Sequence, residues 1–237
     1  LPTSPERYGE VRSETLEDPR PSLSPGLRMD PFLGPLDIQK RSGDEPITAD
    51  GRQVSTLREF WKWAYSDPAG NTVRGVLAEY LVATALGAEV EARREWDAVD
   101  IRTPQGWTVE VKSSAYLQSW AQDKPSKVDF GIAPSAAWDA RTNTRSDDVR
   151  RHADVYVFCL LHHRDKRTLD PLDLAQWTFY VLPTRVLNER HPAQKKIGLF
   201  SLHRLSPVRT DYAGLAEAAA TAAEAQAQGR FIDPTTR

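Results

Sequence analysis

Val99-Asp100-Ile101-Arg102-Thr103-Pro104-Gln105-Gly106-Trp107-Thr108-Val109-Glu110-Val111-Lys112 is the stretch on which the reading of this chain turns. Pro104 and Gly106 punctuate it, and apolar residues alternate with polar ones on its second arm. It therefore reads as a β-hairpin turning at Pro104-Gln105-Gly106. A three-residue turn sets Thr103 across from Trp107, and counting back along the ladder sets Asp100 directly across from Glu110. Directly opposed side chains share a face of the sheet, which brings the two carboxylates to roughly 5 Å from one another. The two-residue period of a strand then places Thr108, Glu110 and Lys112 on that face and Trp107, Val109 and Val111 on the other.

Two like charges at that separation repel by roughly 3 kcal/mol at an effective dielectric near 20, so a positive charge is expected between them. A hard divalent cation is one answer, because Mg²⁺ takes oxygen ligands, often one or two carboxylates, and keeps several waters. Lys112, two residues on along the same face, is placed to orient or deprotonate a water there. The alternative is a solvated hairpin in which Lys112 only neutralises one acid.

The chain has 237 residues, is 40% hydrophobic and carries seven Trp, enough for one large domain with a real core. A single Cys excludes an internal disulfide and suits a reducing, cytoplasmic setting. Cys159 falls in the apolar run Val155–Leu161 and is expected to be buried and inert. That run is too short to cross a bilayer, and no charged-then-apolar leader opens the sequence, so no membrane association is expected. The net charge of −2 does not mark a nucleic-acid binder, but the charge is uneven: −4 over residues 1–50, −2 over 51–140, +6 over 141–210 and −2 over 211–237. An acidic pair beside a basic second half suits a protein that holds metal and phosphate at neighbouring places, and equally an ordinary domain with uneven surface charge.

Residues 1–50 hold eight of the seventeen prolines and read as an extended or disordered arm, with a docked piece at Met29-Asp30-Pro31-Phe32-Leu33. A domain over 51–210 and an Ala-rich helical tail over 211–237 complete the division. Ser55-Thr56 cap a helix from Leu57 to about Tyr65, whose Phe60, Trp61 and Trp63 are expected in the core. A second helix runs from about Asn71 to Leu86 and stops at Gly87. Val73, Val76, Leu77, Tyr80, Leu81 and Thr84 form its expected buried stripe, with Glu79 at the margin and Gly75 one turn before, admitting another backbone. Strands are expected at Lys127–Ala133, Ala153–Leu161 (central), Trp177–Leu182 and Ile197–His203, with a short helix capped by Thr184 and reaching about Arg190. Residues 139–151 lack an apolar period and read as a mobile loop. The Ala-rich segment Leu215–Gln228 is helical by propensity but lacks a decisive apolar face, so it reads as an appendage. Together these make an α/β fold, a mixed sheet of about five strands flanked by helices.

Asp100, then Glu110-Val111-Lys112 across a short hairpin, after a helix carrying Glu79, resembles the PD-(D/E)XK nuclease superfamily, with its restriction endonuclease-like fold. Arg74-Gly75-Val76-Leu77-Ala78-Glu79-Tyr80, Trp96-Asp97-Ala98-Val99-Asp100-Ile101 and Glu110-Val111-Lys112-Ser113-Ser114 carry the resemblance, which covers about residues 55–205. Val99 stands where that family usually has Pro. The resemblance implies a Mg²⁺- or Mn²⁺-dependent nuclease of restriction or repair type acting on DNA. It implies that Asp100, Glu110 and the Val111 carbonyl ligate the metal, Lys112 positions or activates the attacking water, and Glu79 supplies a further carboxylate. Ser114, Tyr116 and Gln118 fall where polar residues often lie near the scissile strand. Double-stranded DNA is the substrate put first, with Arg141, Arg145, Arg150, Arg151, Lys195 and Lys196 as phosphate contacts or plain surface charges; a homodimer is compatible with the sequence.

Two other readings stand beside this one. The same fold without turnover would be a module that binds nucleic acid or a protein partner. Zinc chemistry would draw on His152, His162, His163, His191 or His203, but no pair has ligand spacing, and adjacent His162 and His163 point to opposite faces of a strand. Asp97 rivals Asp100 as a metal ligand, but the hairpin count favours Asp100. No Walker loop, dinucleotide fingerprint or serine nucleophile elbow is present.

Overall fold

A computed structural model describes residues 33–89, 91–95, 97–139 and 142–230. The segment Met29–Phe32, Trp96 and Arg141, named above, lie outside the described residues. Leu36–Arg237 form one compact unit, and Leu1–Pro35 a second, of which residues 33–35 are described. No helix among the described residues is long and apolar enough to cross a membrane.

In chain order the elements are β1 (Pro46–Ala49), β2 (Arg52–Thr56), α1 (Leu57–Tyr65), α2 (Asn71–Ala85), β3 (Ile101–Arg102), β4 (Thr108–Ala115), β5 (Asp129–Gly131), β6 (Ser135–Asp139), β7 (Thr144–Arg150) and β8 (Val155–Leu161). After a 3-10 turn at Leu174–Gln176 follow β9 (Trp177–Pro183), α3 (Thr184–Arg190), β10 (Lys196–Gly198), α4 (Leu199–His203), β11 (Val208–Thr210) and α5 (Leu215–Arg230). Among the described residues, five strands form one mixed sheet in the order β11-β9-β8-β4-β3. β4 and β8 are parallel, and the other neighbours antiparallel. All seven residues of β8 are buried, as expected of a central strand covered on both faces.

One face of the sheet presents Val109, Val111, Val157, Phe179 and Val181 to α2 and α5; the other presents Tyr156, Phe158, Leu160, Tyr180 and Leu182 to β5, β10, α3 and α4. Cys159 is fully buried in the first layer, and burial pushes its thiol pKa up. The parallel β4–β8 pair is locked at its start by Asp154. Its carboxylate accepts from the Thr108 amide (3.0 Å) and hydroxyl (2.9 Å), while its own amide donates to the Thr108 carbonyl (3.0 Å). That clamp fixes the register of the strand carrying Glu110 and Lys112.

Several expectations are corrected. The end of the expected arm is a strand: Pro46–Ala49 pairs with Arg52–Thr56 through an Asp50-Gly51 turn. Both turn residues have positive φ (50° and 74°), the signature of a two-residue hairpin loop. Residues 139–151 hold no simple loop, since β6 and β7 form a hairpin; β7 is exposed along its whole length, so no apolar period marks it. Ile197–His203 is strand only to Gly198 and then turns helical. Thr184 is the first helical residue rather than the cap, and its hydroxyl donates to the Ala153 carbonyl (2.6 Å).

The residues of α1 are half-buried or exposed, with Trp63 84% exposed, so its aromatics do not enter the core. In α2 the buried residues are Arg74, Ala78, Leu81 and Val82, while Tyr80 is 57% exposed. Apolar residues occur nearly all round this helix, so periodicity did not single out the face that packs. A Cβ on Gly75 would meet nothing within 4 Å, so no backbone comes close there. The helix ends as expected, in a Schellman arrangement about Gly87 (φ 63°), with Gly87 N–H on Thr84 (3.2 Å) and Ala88 N–H on Ala83 (2.8 Å). The Ala-rich tail helix α5 is integral to the core, burying Leu215, Ala218, Ala219, Ala222 and Ala223. Small side chains let it lie close on the sheet without a large apolar stripe.

Candidate active site

The hairpin closes as the spacing requires. Thr103 N–H donates to the Trp107 carbonyl (3.0 Å), Gly106 turns with φ 91°, and the pairs Ile101↔Val109 and Arg102↔Thr108 set Asp100 opposite Glu110. Strand β3 begins only at Ile101, so beyond it no strand among the described residues covers the edge of β4. The Val111 N–H there is taken instead by Asp100 Oδ2 at 2.7 Å. Lys112 Nζ lies 2.5 Å from Glu110 Oε1 and 3.9 Å from Asp100 Oδ2. The structure therefore brings Asp100, Glu110 and Lys112 together. Their side chains keep 20–29% exposure, so a phosphate can reach them.

The trio carries two negative charges against one positive. Burial and the nearby Asp100 charge raise the pKa of Glu110, against the opposing pull of Lys112. For Lys112, burial works against the charged form, but Glu110 and Asp100 outweigh it and the pKa moves up, so the amine is an ammonium at neutral pH. Tyr156, paired across from Glu110 on β8, has its phenol pushed up by burial and by that carboxylate.

These shifts carry a stability prediction for the metal-free protein. A carboxyl whose folded pKa exceeds its unfolded value, near 4.3, contributes stability below that value and loses it as pH rises through the folded pKa. Glu110→Gln removes that loss and leaves Lys112 facing Asp100, with Glu79 also within electrostatic reach. The expected result is a Tm raised by about 2–4 °C at pH 7, the shift that about 1 kcal/mol gives a domain of this size. The gain should vanish below about pH 4. A scan at both pH values checks it; a Tm lowered at pH 7 would mean that the Glu110–Lys112 contact outweighs the crowding of the acids.

Glu79 stands on α2 beside the buried Ala78, within electrostatic reach of Glu110 and Lys112. Its carboxylate is gripped by Arg93 through both Nε and Nη2, the latter at 3.1 Å. Asp97, the rival ligand, is held by Arg102 at 2.8 Å and 3.2 Å. Among the described residues, no group of three or more His, Cys, Asp or Glu side chains is gathered as a metal cluster. Two carboxylates with one main-chain carbonyl still suit a hard cation that keeps most of its water. The surplus negative charge of the pair is the feature that fits one.

The other sequence-designated residues divide. Ser114 is buried on the same face of β4 as Glu110 and Lys112. Tyr116 lies under the Arg164 guanidinium, 4.0 Å from the ring centre. Gln118 is buried and works inside the fold, accepting from Arg74 (3.2 Å) and donating to Ser126 (3.2 Å). Arg74 also donates to Ser113 Oγ (3.2 Å), the Ala69 carbonyl (2.9 Å) and Asn71 (2.6 Å). It thus ties α2 to the strand position after Lys112 through neutral acceptors, a buried link that sequence patterning gave no sign of. Arg150 is exposed and paired with Asp148 (2.6 Å). Arg151 is buried, with donors on the carbonyls of Ile132 (2.8 Å), His191 (2.8 Å) and Gln194 (3.3 Å) and on Asn188 (2.9 Å). Those contacts turn it inward, away from any phosphate. Arg145, Lys195 and Lys196 are exposed, with Lys196 3.5 Å from Asp129. His152, His162 and His163 bond Ser135, Thr178 and Thr168 respectively.

A family model described as bacteriophage T4 endonuclease IV matches residues 59–197, a span that contains Glu79, Asp100, Glu110 and Lys112. No curated protein matches the chain.

Proposed function

The chain belongs to the bacteriophage T4 endonuclease IV family, and from that premise we propose that it is a metal-dependent deoxyribonuclease of the PD-(D/E)XK type, hydrolysing DNA phosphodiester bonds. The observation that carries this is the meeting of Asp100, Glu110 and Lys112 at the uncovered edge of β4. Asp100, Glu110 and the Val111 carbonyl would hold Mg²⁺, or Mn²⁺ in its place. When bound, such an ion supplies Lewis acidity and lowers the pKa of water.

The remaining work falls to the chain's own groups. Lys112 donates to the incoming water or to a phosphate oxygen and steadies the charge that builds there. Asp100, anchored by the Val111 amide, keeps its carboxylate aimed at the strand edge. Glu79, restrained by Arg93, contributes negative charge from the helix side. The +6 balance of residues 141–210 supports a polyanionic substrate.

The test is incubation of purified protein with supercoiled plasmid, linear duplex and single-stranded DNA, with Mg²⁺, with Mn²⁺ and with chelator, alongside Asp100→Ala. Cleavage by the wild type that needs the metal and disappears in the variant is expected. Identical products from both proteins would overturn the reading. Binding without cleavage by the wild type would leave the chain a binding module of the same fold.

A further inference from the structure

Beside Asp100 and Glu79 opens a cavity of about 960 Å³ whose walls come from residues 39–41, from Trp61 of α1, from α2 and from described residues between α2 and the hairpin turn. Trp61 and Tyr80 supply aromatic surface to it; its acids include Asp97 and Glu91, paired with Arg102 and Arg94, while Lys40 and Arg41 supply positive charge. Tyr80 is adjacent in sequence to Glu79 and is 57% exposed, although its helix is packed on the core. Lys40 donates to a neutral acceptor, the Glu89 carbonyl, so its charge is available to an anion. Arg41 is exposed at the same wall. Asp100 is part of this lining, so anything filling the cavity abuts the acid pair.

Aromatic faces with cations around them accept nucleobases by stacking and phosphates by ion pairing, and the volume lies in the range of small-molecule sites. Resting on the nuclease reading above, we infer that this cavity seats one or two substrate nucleotides next to the scissile phosphate, with a base laid against Tyr80 and Trp61 and the flanking phosphate met by Arg41 and Lys40. The base must be out of its stack to lie there. The cavity would thus fix which side of the scissile bond the strand enters from.

The experiment is fluorescence anisotropy of a labelled oligodeoxynucleotide with the full chain in chelator, so that affinity is read without cleavage. Tyr80→Ala should weaken binding roughly tenfold, and Tyr80→Phe, which keeps the ring, should restore it. Arg41→Ala should weaken all sequences alike and reduce the slope of log K against log salt by about one. Trp63→Ala is the control: two residues from Trp61, it is turned about 200° round the helix and should bind as the wild type does.

Wild-type protein that does not bind, Tyr80→Ala within twofold of wild type, or an equal loss in Trp63→Ala would each overturn the assignment. A parallel cleavage assay separates the two readings. Loss of affinity at Tyr80→Ala in a protein that cleaves nothing keeps the cavity and removes the nuclease; metal-dependent cleavage with full affinity at Tyr80→Ala does the reverse.

Discussion

Replacing Lys112 by Ala is expected to lower the rate of DNA cleavage by about 10²–10⁴-fold, while affinity for oligonucleotide in chelator stays within about threefold of wild type, since one phosphate contact among several changes affinity little. The ammonium is the positive charge next to two carboxylates, 2.5 Å from one and 3.9 Å from the other. In the metal-free protein these two carboxylates raise its pKa against burial, and beside a phosphate its charge lies where negative charge develops. Lys112→Arg should recover only part of the rate, because a planar fork does not reproduce a compact point charge. Single-turnover cleavage and metal-free binding, measured on the same preparations, separate the outcomes. A variant that cleaves at the wild-type rate would remove Lys112 from the chemistry. A variant whose rate falls only in step with its affinity would make Lys112 a binding residue.

The second large effect is structural, and it concerns two neighbouring arginines. Arg151→Met keeps most of the side-chain volume but removes the donor from the buried Ile132 carbonyl, and from the part-buried contacts with the His191 and Gln194 carbonyls and Asn188. Each buried acceptor left unsatisfied costs about 1–3 kcal/mol. With the other acceptors within reach of water, the expected total is about 2–3 kcal/mol, on the order of 5–10 °C in Tm. Arg151→Lys should recover little, having one nitrogen where four acceptors converge. Arg150→Ala, one residue away but exposed and paired among the described residues with Asp148, should stay within about 0.5 kcal/mol of wild type. Urea unfolding of the three variants measures this. Equal midpoints for Arg151→Met and Arg150→Ala would show that the inward network contributes nothing to stability.

That pair of arginines shows where sequence reading stops. Both looked like surface cations in a basic region, and no local pattern separates them. Only the convergence of the Ile132, His191 and Gln194 carbonyls from distant parts of the chain decides which one is buried. The same holds for α2, whose apolar residues surround the helix, so the face taken by Ala78 and Val82 is chosen by the sheet beneath it. It holds for α1 as well, where three aromatics promised a core and instead remain half-buried or exposed. The β1–β2 hairpin, by contrast, had a readable signal in Asp50-Gly51, masked by the proline-rich composition around it.

By itself the sequence determined whatever depends on neighbours along the chain. The register that sets Asp100 against Glu110 follows from a short turn and the alternation of a strand, and the burial of β8 follows from seven consecutive apolar residues. Tertiary structure alone decided the rest: that β3 stops short and bares the edge of β4, that Arg93 holds Glu79, that an alanine-rich helix closes the core, and that a cavity opens beside the acids. Those outcomes rest on contacts between residues far apart in sequence, whose energies are settled only when all the elements are packed at once.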